Sequence, residues 1–168
     1  MRRIDCRILA SVVCLAMGSV VSAGVVFAQS DLDLGQGLNF SSQAVLRPGA
    51  GDLFHGGFVL YTKQHKVVFG IAKKLIDANG IVSEAVARVM AEGALKHSPA
   101  DIAVGVTGVA GPEPDDEGNP VGLVCLAAAR RGRKTMARTH HFKSKDRGEI
   151  RCRAAEEALK LVYRMARA

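Results

Sequence analysis

The residues with the clearest chemical potential form one stretch, Gly105-Val-Thr-Gly-Val-Ala-Gly-Pro112, which follows directly on the apolar run Ile102-Ala-Val104. A strand that ends in a threonine among glycines leaves backbone N–H groups close to whatever binds there. Such a turn can hold a phosphate or a developing oxyanion. A second stretch upstream, Gly57-Phe-Val-Leu-Tyr-Thr-Lys-Gln-His-Lys66, places a tyrosine, a histidine and two lysines just beyond a short β-prone run. Together the two stretches predict a small-molecule site.

Other reactive side chains lack the spacing for a site. The four cysteines, Cys6, Cys14, Cys125 and Cys152, form no Cys-x-x-Cys pair, which argues against zinc and thioredoxin-like chemistry. Cys125 sits in an apolar run and reads as a buried free thiol. His140 and His141 point to opposite faces of a strand and cannot chelate together. With His55, His65 and His97 scattered, no metal site is expected.

A chain of 168 residues is long enough for one domain with its own core. Tryptophan is absent and aromatics make up 5%, so that core must be built from Val, Leu, Ile and Ala. The net charge is +7. Part of it is the cluster Arg130, Arg131, Arg133, Lys134 and Arg138 around Gly132. Without interleaved aromatics this reads as a solvated hairpin tip, and no nucleic-acid partner is expected.

Residues 1–28 have a basic start (Arg2, Arg3, Arg7), an apolar stretch over 8–21, and small-residue patterns ending at Ala23 and Ala28. That is the pattern of an export signal. The alternative is a buried strand and helix of the domain itself. Residues 29–39 read as a linker.

Beyond it, residues 57–62 predict a strand. Residues 66–76 predict a helix with 67, 68, 71 and 75 inward and Lys73 and Lys74 outward. Ser83 and Glu84 predict the start of a helix that runs to about Lys96, with Val86, Val89, Met90 and Ala94 buried. Strands are expected over 101–106, 121–129 and 134–142, and an acidic, mobile loop over 112–120. Residues 146–167 predict an amphipathic helix burying Ile150, Ala154, Ala158, Leu161, Val162 and Met165. The order predicts an α/β fold: a three-layer α/β/α sandwich with a mixed, mainly parallel sheet.

From about Pro48 onward the chain resembles the CinA C-terminal domain family, the nicotinamide-nucleotide amidases. Four blocks carry the likeness, in order. Pro48-Gly49 with the Gly57-Phe-Val-Leu-Tyr61 to Lys66 stretch is similar to PGSS…GFVTYSNxxK. Val82-Ser-Glu-Ala-Val-Ala-Arg88-Val-Met-Ala91 is similar to VSExVAxxMA. Thr107-Gly-Val-Ala-Gly-Pro112 is similar to TGIAGPGG, and Pro120-Val-Gly-Leu-Val124 to PVGLV. The resemblance implies one amidase-like domain over 29–168. Its implied reaction, in pyridine nucleotide salvage, deamidates nicotinamide mononucleotide to nicotinate mononucleotide and ammonia. It implies a serine nucleophile with a lysine base, no cofactor, a small-molecule nucleotide as partner, self-association and a cytoplasmic setting; the leader would instead imply export.

Matched residue by residue, Lys66 falls on the family's catalytic lysine, and Tyr61 on a motif tyrosine that positions lysine or substrate. Thr107, Gly108, Gly111 and Pro112 fall on the substrate loop. The chain also departs from the pattern. The family's serine lies in ESCTGG, and counting back without gaps from Pro48 puts Leu34 at its place. Ser30, Ser41 and Ser42 lack the surrounding motif. Glu113-Pro114 replaces the two glycines after Pro112, and a proline there restricts the backbone. These departures imply an alternative, an inactive member that binds a nucleotide or a partner.

Overall fold

The computed structural model describes residues 21–28 and 54–168, with side chains from residue 55 onward. The elements run β1 (Val21–Ala28), β2 (Phe54–Leu60), α1 (Lys63–Val68), α2 (Lys73–Asn79), α3 (Glu84–Lys96), β3 (Ile102–Gly108), β4 (Leu123–Arg130), β5 (Met136–His141) and α4 (Arg147–Arg167). The strands form one sheet in the order β2-β1-β3-β4-β5.

Alternation along β3 and β4 sorts the core into two halves. Ile102, Val104, Val106, Val124, Leu126 and Ala128 face α4 and meet Ile150, Ala154, Ala158, Leu161, Val162 and Met165. Ala103, Cys125, Ala127 and Ala129 face the other way, toward Val86, Ala87, Met90, Ala91 and Ala94 of α3. Large side chains therefore lie under α4 and small ones under α3, which can come close to the sheet. Gly105 marks the closest approach. A Cβ there would run into the Ala87 carbonyl and lie 2.9 Å from the Met90 Cβ.

The α/β class and the three layers stand as expected, with α1–α3 on one face and α4 on the other. The mainly parallel pairing is corrected: all four described strand pairs are antiparallel. β2 and β3 do run in the same direction, as a helical crossover requires. They are not neighbours, because β1 is inserted between them, antiparallel to both. β1 comes from the end of the stretch read as an export signal. Residues 1–20, the linker reading over 29–39, Cys6, Cys14 and Pro48-Gly49 lie outside the described residues.

Two helix expectations hold closely. Ser83 accepts from the Val86 N–H and caps α3, and Asp146 accepts from the Gly148 N–H and caps α4. The single helix over 66–76 is corrected. Gly70, at φ +107°, breaks it into α1 and α2. Its inward face is corrected in the first turn, where Val68 is 85% exposed and Val67 38% while Lys66 is 1% exposed; Ile71 is buried, and Lys73 and Lys74 are exposed, as expected.

Candidate functional site

A charged side chain buried where a valine was expected needs a local cause. β2 ends at Leu60, and Thr62 then starts α1, its Oγ1 accepting from the His65 N–H at 3.1 Å. Lys66 lies one turn later, and its Nζ folds back to donate to the Leu60 carbonyl at 2.8 Å. The helix is held by Phe69, whose ring lies 4.8 Å from that of Phe58 and fits against Gly93, where a Cβ would come within 2.9 Å of it. The sheet-side position of α1 thus falls to residue 66.

An ammonium has three donors. Among the described residues this one makes a single hydrogen bond, to a neutral acceptor. Burial drives its pKa down from 10.5 to about 8, with the charge of Glu117 pulling the other way. Desolvation disfavours the protonated amine, so about a tenth of it is neutral at pH 7, far more than for an ordinary lysine. A neutral amine can accept a proton, as a general base must.

Thr107, near the end of β3, is fully buried and donates from Oγ1 to the Ile81 carbonyl at 3.0 Å. The Ile81 N–H in turn donates to Glu117 Oε2 at 2.8 Å. One peptide segment between α2 and α3 therefore ties the β3 threonine to the acidic loop. Gly80 permits this approach: its φ is +79°, and a Cβ would sit 2.8 Å from Glu117 Oε2. The loop is also folded on itself. Asp115 accepts from the N–H groups of Glu117 and Asn119 and from the Asn119 side chain. A loose excursion was expected here, and the hydrogen bonds replace it with a tied turn.

The glycine stretch offers a narrower donor set than its sequence suggests. Gly108 pairs with Val124, and a Cβ there would be 2.7 Å from the Leu123 carbonyl. Its missing side chain serves strand packing. The Val109 N–H is taken by Leu123. Ala110 and Gly111 are buried, and among the described residues their N–H groups carry no hydrogen bond. Gly111 has φ +88° and precedes a cis bond to the exposed Pro112. Arg147, the first residue of α4, donates to the Gly111 carbonyl at 3.2 Å.

Hydrogen bonds thus link Thr107 to Glu117 through Ile81, Lys66 is tied to Leu60, and a donor pair is left at Ala110 and Gly111. Tyr61 is 41% exposed and makes no hydrogen bond among the described residues. Leu34, Ser30, Ser41 and Ser42 lie outside those residues. Glu117 and Arg147 were not picked out by sequence reasoning. Their contacts join positions 36 apart in the chain, and no local spacing signals them.

The remaining reactive groups have structural occupations. Arg131 donates to the carbonyls of Leu95, Ser98 and Ala100 at and just beyond the end of α3, and Arg130 to those of Met165 and Ala166 at the end of α4. These guanidiniums complete helix C-termini. Cys125 is buried and free, and burial pushes its thiol pKa up. Among the described residues no group of three or more His, Cys, Asp or Glu could hold a metal ion.

Residues 36–166 match the family model of the CinA C-terminal domain. A competence-damage inducible protein of Symbiobacterium thermophilum is 46% identical over 126 residues, which cover 70% of this chain and 29% of that protein. The chain thus spans under a third of the length of this relative. Among solved structures, a competence/damage inducible protein of Agrobacterium tumefaciens superposes with a TM-score of 0.60 at 36% identity, over 64% of this chain and 66% of that one. A CinA superfamily protein of Escherichia coli superposes with a TM-score of 0.66 at 28% identity, over 73% and 72%.

Proposed function

Because the chain belongs to the CinA C-terminal domain family, we propose that it is an amidohydrolase of nicotinamide mononucleotide in which Lys66 is the general base. One observation carries this reading. Lys66 is buried, has only a backbone carbonyl as partner and a pKa near 8, and sits at the position that the family resemblance gives to the catalytic lysine.

The chemistry follows from that amine. An attacking hydroxyl gives its proton to the neutral Nζ as its oxygen bonds to the carboxamide carbon. The oxygen of the former carbonyl becomes anionic. The N–H groups of Ala110 and Gly111 are the donors to stabilise it, in a site already shielded from water. Lys66 then returns the proton to the departing nitrogen, which leaves as ammonia, and water completes the carboxylate. The resemblance assigns the hydroxyl to a serine.

A second reading rests on Leu34 at the counted position of that serine and on Glu113-Pro114 in place of two glycines. On this reading the chain binds the nucleotide without turning it over. One experiment separates the two: ammonia release from nicotinamide mononucleotide by the purified protein and by Lys66→Ala, with binding followed by calorimetry. Release by the parent that falls by about 10²-fold or more in the variant supports the base role. Binding without release favours the second reading. Release untouched by the substitution overturns the role of Lys66.

A further inference from the structure

Arg147 lies against the donor pair, and the reaction above leaves it without a task. We propose that Arg147 is a positioning residue: its guanidinium, donating to the Gly111 carbonyl, holds the Ala110–Gly111 stretch so that both backbone N–H groups stay aimed at the developing oxyanion. The inference rests on the reading of those amides as the oxyanion donors.

The loop that carries the donors cannot tie itself down. Val109 is fixed beside β4 by two backbone hydrogen bonds, its N–H donating to Leu123 and its carbonyl accepting from Gly122, both at 2.8 Å. The next backbone bond along the chain joins the Asp115 N–H to the Asn119 carbonyl. Pro112 and Pro114 have no N–H to give. Gly111, at φ +88°, lies in the left-handed region and has no side chain to restrain it. Among the described residues, the stretch 110–114 makes a single hydrogen bond, and its donor is Arg147 Nη1, 3.2 Å from the Gly111 oxygen.

The guanidinium springs from a fixed backbone. Arg147 is the first residue of α4. Asp146 caps that helix through the Gly148 N–H at 2.7 Å, and Ser144 bridges the Asp146 N–H and the Glu149 carboxylate. Three residues on, Ile150 is fully buried against the sheet. Helix stability does not account for an arginine here, because a cation in the first turn opposes the helix dipole. An ion pair does not account for it either. Among the described residues Arg147 has none: Asp146 is spent on the cap, and Glu149 pairs with Arg153.

A charged donor makes a stronger hydrogen bond to a carbonyl than a neutral one does. With Gly111 held in this way, the amides need no reorganisation when negative charge forms, and that readiness is the source of their effect. A loosened pair would leave substrate binding as it was and stabilise the transition state less, so the loss belongs to kcat.

The test compares the unaltered protein with Arg147→Met, which keeps a long side chain without a donor, and Arg147→Lys, which keeps a charged donor. Backbone amide relaxation by NMR gives the order parameters of Ala110 and Gly111 and needs no turnover. They should be about 0.85 in the unaltered protein and fall below about 0.6 in Arg147→Met, with Val109, Gly148 and Ile150 unchanged. Arg147→Lys should restore part of the order. In ammonia release from nicotinamide mononucleotide, Arg147→Met should lower kcat about tenfold or more at unchanged KM. Equal order parameters in the unaltered protein and Arg147→Met, or a loss of order that extends along α4 to Gly148 and Ile150, overturn the proposal. So does a raised KM at unchanged kcat, which would make Arg147 a substrate contact. An unaltered protein that releases no ammonia removes the amidase reading alone, and the order parameters still decide the role of Arg147.

Discussion

Lys66 is a costly residue to bury, and its cost depends on pH. Its folded pKa of about 8 lies below the unfolded value of 10.5. Below pH 8 both states are protonated and the desolvation penalty is fully present. Between 8 and 10.5 the unfolded chain holds more protons, so stability rises with pH until the penalty is gone. A shift of this size corresponds to about 3 kcal/mol. Lys66→Met keeps the side-chain length and removes the charge. We expect it to be more stable than the parent at pH 7 by up to that amount, with the gap closing by pH 10.5. Urea unfolding of both proteins across that range measures the difference, and a pH-independent gap would remove the buried ammonium from the account. A gain in stability together with a loss of ammonia release is the pattern expected where a site is held at the fold's expense.

At the level of elements, the site depends on how close α3 comes to the sheet. Gly105 lets the Ala87–Ala91 stretch of α3 lie directly on β3. α3 in turn supports Ile81 at its start and Phe69 at Gly93, and so both Thr107 and the helix that carries Lys66. Gly105→Ala should push α3 outward and cost about 1–3 kcal/mol, the usual range for overpacking. A lowered urea midpoint at unchanged slope checks this; an unaltered midpoint would mean that α3 can shift freely. The short helix α1 shows why its face was misread. Its valines at 67 and 68 satisfy a helical period over 66–76, but Gly70 stops the helix after six residues. With so few turns, the inward position is set by the Thr62 cap and the Phe69 anchor, and apolar spacing has little say.

For the molecule as a whole, β1 is the consequential strand. It lies between β2 and β3 and is the connection between the strand leading to Lys66 and the strand that carries Thr107 near its end. Cleavage after Ala23 or Ala28 would remove part or all of it. Deleting residues 1–28 should therefore abolish cooperative unfolding, read as the loss of a sigmoidal thermal transition by circular dichroism; a deletion variant with the parent's transition would show that β1 is dispensable. Much of the remaining architecture was legible in the residues. The cap at Ser83, the span and buried stripe of α4 and the apolar runs of β3 and β4 are local patterns, set by hydrogen-bonding side chains and by periodicity within one element. Lys66 and Thr107 were legible through motif likeness. The insertion of β1, the antiparallel pairing, the burial of Lys66 and the docking of Glu117 on Ile81 were not. Each depends on which distant segments meet, and that is decided by the packing of the assembled layers, where a backbone amide or a missing Cβ counts for more than any spacing along the chain.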